Sequence, residues 1–162
     1  MKDLLSEVVV QVKLPKFLQL LRLALMPVTA LLLLMALFGV PGCFLAACAA
    51  GAGIFFLTRK QATEYEYIHF NSDLDIDRVT FGSNRKHLMT VKLDQVELLA
   101  SVDAPEVDRY GAWETKDFSS GEEGYNTYFM ICRVGGKKMK LKLDLEPKIM
   151  ETLSVRLRGK IL

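Results

Sequence analysis

Residues 22–60 read RLALMPVTALLLLMALFGVPGCFLAACAAGAGIFFLTRK, and the thirty-six positions between Arg22 and Arg59 carry no charge. That is too long for one membrane-crossing helix, and Gly39-Val40-Pro41-Gly42 interrupts it near the middle with turn chemistry. The halves, 23–40 and 42–58, hold eighteen and seventeen residues. As helices they would rise roughly 25 to 27 Å, near the lower limit for a hydrocarbon core. The pattern predicts a transmembrane helical hairpin within residues 18–60, turning at 39–42. Pro27 is read as part of the first span's opening turn, where its missing N–H costs little.

The second span is rich in small residues. Ala46, Ala47, Ala50, Gly51 and Gly53 would let its backbone approach the leucine-rich first span, although an ordinary alanine-rich helix has the same composition. Lys13, Lys16 and Arg22 precede the hairpin, Arg59 and Lys60 follow it, and the turn is uncharged. The positive-inside rule then puts both termini in the cytoplasm, with the chain a multi-pass protein of the cell membrane. A competing reading comes from Leu45-Ala46-Ala47-Cys48, which imitates a bacterial lipobox with Cys48 as the lipidated residue. The apolar run that continues to Thr58 argues against it. Residues 1–17 form an amphipathic segment in which Leu4, Leu5, Val8, Val9 and Val12 fall at helical spacing before Pro15, predicting an interfacial helix.

Charge is unevenly shared. Residues 1–60 carry six Lys/Arg against two Asp/Glu, and residues 61–162 carry fifteen against seventeen. The mean hydropathy of +0.20 therefore averages two unlike parts. A slightly acidic second part does not fit a phosphate-backbone reader, so nucleic acid is not an expected partner. Cys43, Cys48 and Cys132 form neither a CxxC pair nor an even-numbered framework, which suits a reducing compartment.

From Glu64 onward the apolar period shortens to two. Tyr65, Tyr67 and His69 alternate with Glu66, Ile68 and Phe70, and Asn71-Ser72-Asp73 supplies a turn into a second strand with a register change near Arg78. Residues 87–93 and 95–100 read as two more strands. Residues 102–124, with Pro105, Gly111, Gly121 and Gly124, read as a long surface excursion. Strand character returns over 125–134, and Gly135-Gly136 turns it into 137–145, where Met139, Leu141, Leu143 and Leu145 face one way and Lys138, Lys140, Lys142 and Asp144 the other. Pro147 opens an amphipathic helix over 147–158 with Ile149, Met150, Leu153 and Leu157 on its apolar stripe. The fold class is α+β: the hairpin, then over 61–162 an antiparallel β-roll or barrel closed by a C-terminal amphipathic helix.

This order, with YEYIHFNSDLDIDRV (65–79), TKDFSSG (115–121) and GKKMKLKLDLEP (136–147), resembles a family of uncharacterised membrane proteins of clostridia and related Firmicutes. Their soluble parts resemble bacterial pleckstrin-homology-like domains. The resemblance implies a roll of strands capped by a helix and brings no catalytic signature. A seven-stranded roll would need one more strand, drawn from 109–118.

Several tempting motifs fail. Asp73, Asp75 and Asp77 imitate the opening of a calcium loop, but the sixth position is Arg78 and the twelfth Asn84. His69 and His87 have no ligand neighbours at zinc spacing, and no nucleophile elbow, Walker loop or dinucleotide glycines occur. No catalytic residue, metal or cofactor is expected. Lys138, Lys140 and Lys142 are a candidate contact for an anionic leaflet or a partner, although alternation alone demands polar residues there. Trp113 with Tyr110 in the long loop is either a partner anchor or a packing plug. The expected function is a membrane-tethered, non-enzymatic module that engages lipids through its hairpin and a protein partner through its domain. The alternatives are an anionic-lipid sensor working through the lysine row and an accessory subunit of a membrane complex.

Overall fold

The computed structural model describes residues 6–122 and 126–162. Leu4, Leu5, Gly124 and Tyr125 lie outside the described residues. Ser6–Gln11 is a strand, β1, and not the interfacial helix expected from the spacing of its apolar residues. Val8, Val9 and Val10 are consecutive β-branched residues, which stiffen an extended chain. Val8 and Val10 enter the core while Val9 faces out. The β domain therefore starts before the hairpin and resumes after it, so 61–162 is not the whole of it.

Helix α1 spans Lys16–Leu37 and α2 spans Cys43–Gln61, both longer than the apolar windows of the sequence. At 1.5 Å per residue they rise about 33 and 28 Å. Because α1 starts at Lys16, Pro27 stands in its interior and not in its first turn. It removes the bond that an N–H there would give to the Leu23 carbonyl. The turn is built by its glycines: Gly39 at φ +78° and Gly42 at φ +83° occupy the left-handed region, where a side chain would be strained. Gly39 N–H bonds the Ala36 carbonyl and Val40 N–H the Met35 carbonyl, at 3.1 and 3.2 Å, the paired closure of a glycine-terminated helix.

Directly after α2 the chain resumes the sheet. Strand β2 (Thr63–Phe70) pairs antiparallel with β1, Gln11 opposite Glu64 and Val8 opposite Tyr67. Strands β3 (Asp73–Thr80) and β4 (Asn84–Lys92) complete a sheet in the order β1-β2-β3-β4, with an irregularity between Ile76 and Asp77 close to the expected register change. The second sheet is β5-β7-β8-β6, made of β5 (Val96–Ser101), β6 (Glu114–Asp117), β7 (Thr127–Val134) and β8 (Lys137–Asp144). The expected extra strand from 109–118 is β6, and it runs parallel to β8 in an otherwise antiparallel sheet. Among the described residues the eight strands form two four-stranded sheets, not a closed barrel.

One apolar core fills the space between the sheets, drawing Val8 and Val10 from β1, Tyr67 from β2, Ile76 from β3 and Leu141 and Leu143 from β8. Helix α3 (Pro147–Arg156) closes it with Ile149 and Leu153, and Leu157 follows just past its end. The chain then returns along β5: Leu99 N–H donates to the Lys160 carbonyl and Leu162 N–H to the Leu99 carbonyl, at 2.8 and 3.0 Å.

Because Val12 N–H donates to the Thr63 carbonyl at 3.0 Å, the ends of the hairpin are one ladder step apart. Replacing residues 15–61 with a Gly/Ser turn of about four residues should give a water-soluble β domain that unfolds cooperatively. Residues 62–162 alone, deprived of Val8 and Val10, should lose that transition. Circular dichroism melts of the two proteins check this, and a cooperative melt of the shorter one would contradict the placement of β1.

Candidate functional site

Several hydrogen bonds meet at the junction where the two helices leave the sheet. Two of its side-chain bonds span long sequence distances. Gln11 donates to Glu64 at 2.8 Å, Arg22 on α1 is hydrogen-bonded to Gln61 on α2, and Gln19 donates to the Leu14 carbonyl at 2.8 Å. On the far side, Phe81 N–H donates to the Ala62 carbonyl at 2.9 Å, so the β3–β4 turn is bonded to the end of the hairpin. Phe81 is itself exposed, at a φ of +55° that bulky residues seldom adopt.

The stretch 118–122 braces the junction from the second sheet. Lys13 N–H donates to the Ser120 carbonyl at 2.8 Å, and Lys13 Nζ meets Glu122 at 2.6 Å. Ser120 is held in turn by Asp144: its N–H and its hydroxyl both donate to Asp144 Oδ2, at 2.7 and 2.5 Å, while the Thr127 hydroxyl donates to Oδ1 at 2.7 Å. Tyr67 completes the group by donating to the Phe118 carbonyl at 2.7 Å. Asp144 is fully buried. Alternation had placed it with the lysines on the solvent face, but the 118–120 segment folds over that end of β8 and turns the outer face into interior. The two hydroxyls of Ser119-Ser120, next to a buried Phe118, are the sequence's only trace of this arrangement. The long excursion is accordingly not a free loop: it contains a short 3₁₀ helix (Pro105–Tyr110), β6 and this brace.

Between the hairpin end and the first sheet lies a recess of about 270 Å³ lined by Val12, Arg59, Lys60, Thr63, Tyr65, Arg78 and Thr80. Register places Tyr65 directly opposite Arg78 and Thr63 opposite Thr80. Burial raises the pKa of the Tyr65 phenol above its ordinary 10.0, against the pull of the Arg78 guanidinium, so at neutral pH the ring carries an O–H donor.

Lys138 Nζ lies 5.4 Å from the Trp113 ring centroid and Lys140 Nζ 4.9 Å from that of Phe129, while Lys142 faces Asp117 at 3.8 Å. Tyr110 and Trp113 meet edge to face at 5.1 Å and pack on Leu98, Ala100, Val107 and Ile131, covering the outer face of the second sheet. In the hairpin, Ala47 is buried and Ala50 half-buried, Ala46 is exposed, and a side chain at Gly51 would meet nothing. At Gly53 it would reach Leu25 of α1 at an ordinary 3.9 Å. Asp73, Asp75 and Asp77 alternate along an extended strand: Asp75 accepts from Thr90 at 2.5 Å, and Asp77 meets His87 at 2.8 Å. Asp77 and Glu66, both nearly buried, share the guanidinium of Arg85. His69 is buried, and Cys132 lies in the core of β7. Cys43 and Cys48 are free thiols in α2.

Two twisted sheets closed by a C-terminal helix are the architecture of one described domain type, and a family model for it covers nearly every residue: Bacterial PH-like domain (DUF6106) matches 2–162. The chain belongs to this family. Its PH-like domain thus includes the hairpin as an insertion between β1 and β2 of the roll. No curated protein and no solved structure matches the chain.

Two measurements probe this PH-like core. Asp144→Ala leaves two hydroxyls and a backbone N–H without their acceptor, and should cost roughly 3 kcal/mol. Denaturant unfolding of the full chain in detergent, followed by the fluorescence of the single Trp113, checks it, and a loss under about 1 kcal/mol would contradict the network. Burial pushes the Cys132 thiol from 9.0 up to about 12. The unfolded thiol then ionises first, so stability is intact below pH 9 and falls as pH rises from 9 towards 12, by at most about 1.4 kcal/mol per pH unit for this group. Cys132→Ala should flatten that decline between pH 9 and 10, whatever constant offset it adds.

Proposed function

We propose that this protein is a membrane-tethered, non-enzymatic interaction module whose hairpin crosses the cytoplasmic membrane and holds the PH-like domain against the inner surface, where it engages a protein partner. The observation that carries the reading is the uncovered surface of the hairpin. None of the residues of α1 is buried and only Ala47 of α2 is, although both helices are long and apolar enough to span a bilayer. Leu31, Leu34, Phe44 and Phe56 among many others stand exposed. An apolar surface of that extent on a soluble protein would aggregate, and lipid is the solvent that suits it.

The insertion supports the topology as well. Strands β1 and β2 are hydrogen-bonded neighbours, so both ends of the hairpin lie on one side of the membrane, and the flanking Lys13, Lys16, Arg22, Arg59 and Lys60 favour the cytoplasmic side. Cleavage before Cys48 would discard β1 and with it Val8 and Val10 of the core, which weighs against the lipoprotein alternative. The absence of catalytic motifs in the sequence and the structural use of the buried polar groups favour binding over turnover.

The expected outcome is that the full chain resists alkaline carbonate extraction, and that a C-terminal tag is protected from protease in intact cells and cut in inverted vesicles. Cutting in intact cells would overturn the topology, and release by carbonate would overturn the tether.

A further inference from the structure

We infer that the recess formed by Arg59, Lys60 and Arg78 at the foot of the hairpin seats the phosphate of an anionic phospholipid from the leaflet the hairpin enters. The inference rests on the membrane reading above and adds a ligand to it.

Three observations converge. First, the recess is rich in donors and lined by no carboxylate. Arg59, Lys60 and Arg78 have no ion-pair partner among the described residues, in contrast to Arg85, which is shared by Glu66, Asp77 and Glu7 on the same sheet. Arg78 is half-buried, and a guanidinium withdrawn from water without a counter-ion is stabilised by an anion that completes it. Tyr65 and Thr80 are among the residues lining the same recess, so hydroxyl-bearing side chains accompany the charges. A phosphate, acceptor on every free oxygen, matches this set; a cation or an apolar ligand does not.

Second, the position selects a lipid over a dissolved anion. Arg59 and Lys60 are the first charges after the uncharged run of α2, where a spanning helix passes from hydrocarbon into headgroups. The recess lies at that level by construction, since β3 is bonded to the sheet beside the hairpin's last residues. Third, exposed Phe81 sits on the β3–β4 turn, which is bonded to Ala62, so an uncovered apolar ring stands at the same level, where a membrane surface would take it up.

The lysine row is the competing basic surface, but two of its ammonium groups stack on Trp113 and Phe129 and the third faces Asp117.

The test uses the full chain in nanodiscs of mixed phosphatidylcholine and phosphatidylglycerol, with the lipids retained on the released protein counted by native mass spectrometry. The wild type should retain phosphatidylglycerol preferentially. R59Q/K60Q/R78Q should lose the preference, by roughly fivefold for each charge removed. K138Q/K140Q/K142Q should keep it, and Arg78→Lys, which preserves charge, should keep most of it. A far-ultraviolet circular dichroism spectrum matching the wild type establishes that the variants are folded, and if R59Q/K60Q/R78Q fails this control it is replaced by Arg78→Gln alone, for which about a fivefold loss is expected. An unaltered preference in R59Q/K60Q/R78Q, or its loss in the lysine-row variant, overturns the proposal. Stripping of the lipid by millimolar inorganic phosphate assigns the recess to a free anion and overturns the lipid. Carbonate extraction run in parallel separates the two readings: release sinks both, whereas retention with an insensitive preference sinks only the recess.

Discussion

The antiparallel pairing of β1 with β2 is the constraint on which the rest of this structure depends. Fifty-one residues separate Gln11 from Thr63, yet the strands run in continuous register from the pair Ser6 and His69 to the pair Gln11 and Glu64. Closing so long a loop costs chain entropy, and that cost is met by burying Val8 and Val10 and by the helix-to-helix packing that brings the loop's ends together. Everything at the junction follows from it. The polar collar of Gln11, Glu64, Arg22 and Gln61, the brace at Ser120 and the basic recess all exist because two helix ends are held one ladder step apart.

The buried polar groups around Asp144 serve architecture. Asp144 gathers Ser120 and Thr127, and Tyr67 takes the Phe118 carbonyl, so that a stretch with little apolar content of its own is fastened across the end of the second sheet. That stretch in turn holds Lys13 just before α1 begins. A chain of hydrogen bonds therefore connects the interior of the β domain to the foot of the hairpin. The helical hairpin is thus joined to the β domain by hydrogen bonds as well as by the chain itself.

How far the fold was legible depends on how local its signals are. The hairpin announces itself through an uninterrupted absence of charge, and β7 with β8 through clean alternation around Gly135-Gly136, whose register pairs Val134 with Lys137 as a two-residue turn requires. Strand β1 was misread because Leu4, Leu5 and Val8 lie at helical intervals, and its partner is a hairpin away; the three successive valines at 8–10 were the better signal. Asp144 was misplaced because alternation tells which face a residue is on and not whether something later covers that face. The recess was invisible for a related reason. Arg59 and Lys60 were visible as flanking charges, but that Arg78 joins them follows only from the register of β2 with β3.

The insertion of the hairpin between two neighbouring strands also has a consequence for biogenesis. On the proposed topology the ribosome makes β1 first and β2 only after both helices have been delivered to the membrane, so the core must wait for correct insertion. A chain that threads only one helix leaves β1 and β2 in different compartments. Its domain then lacks Val8 and Val10 and stays unfolded, a state that quality-control proteases recognise readily. On that topology the folded domain is its own certificate of a properly inserted hairpin.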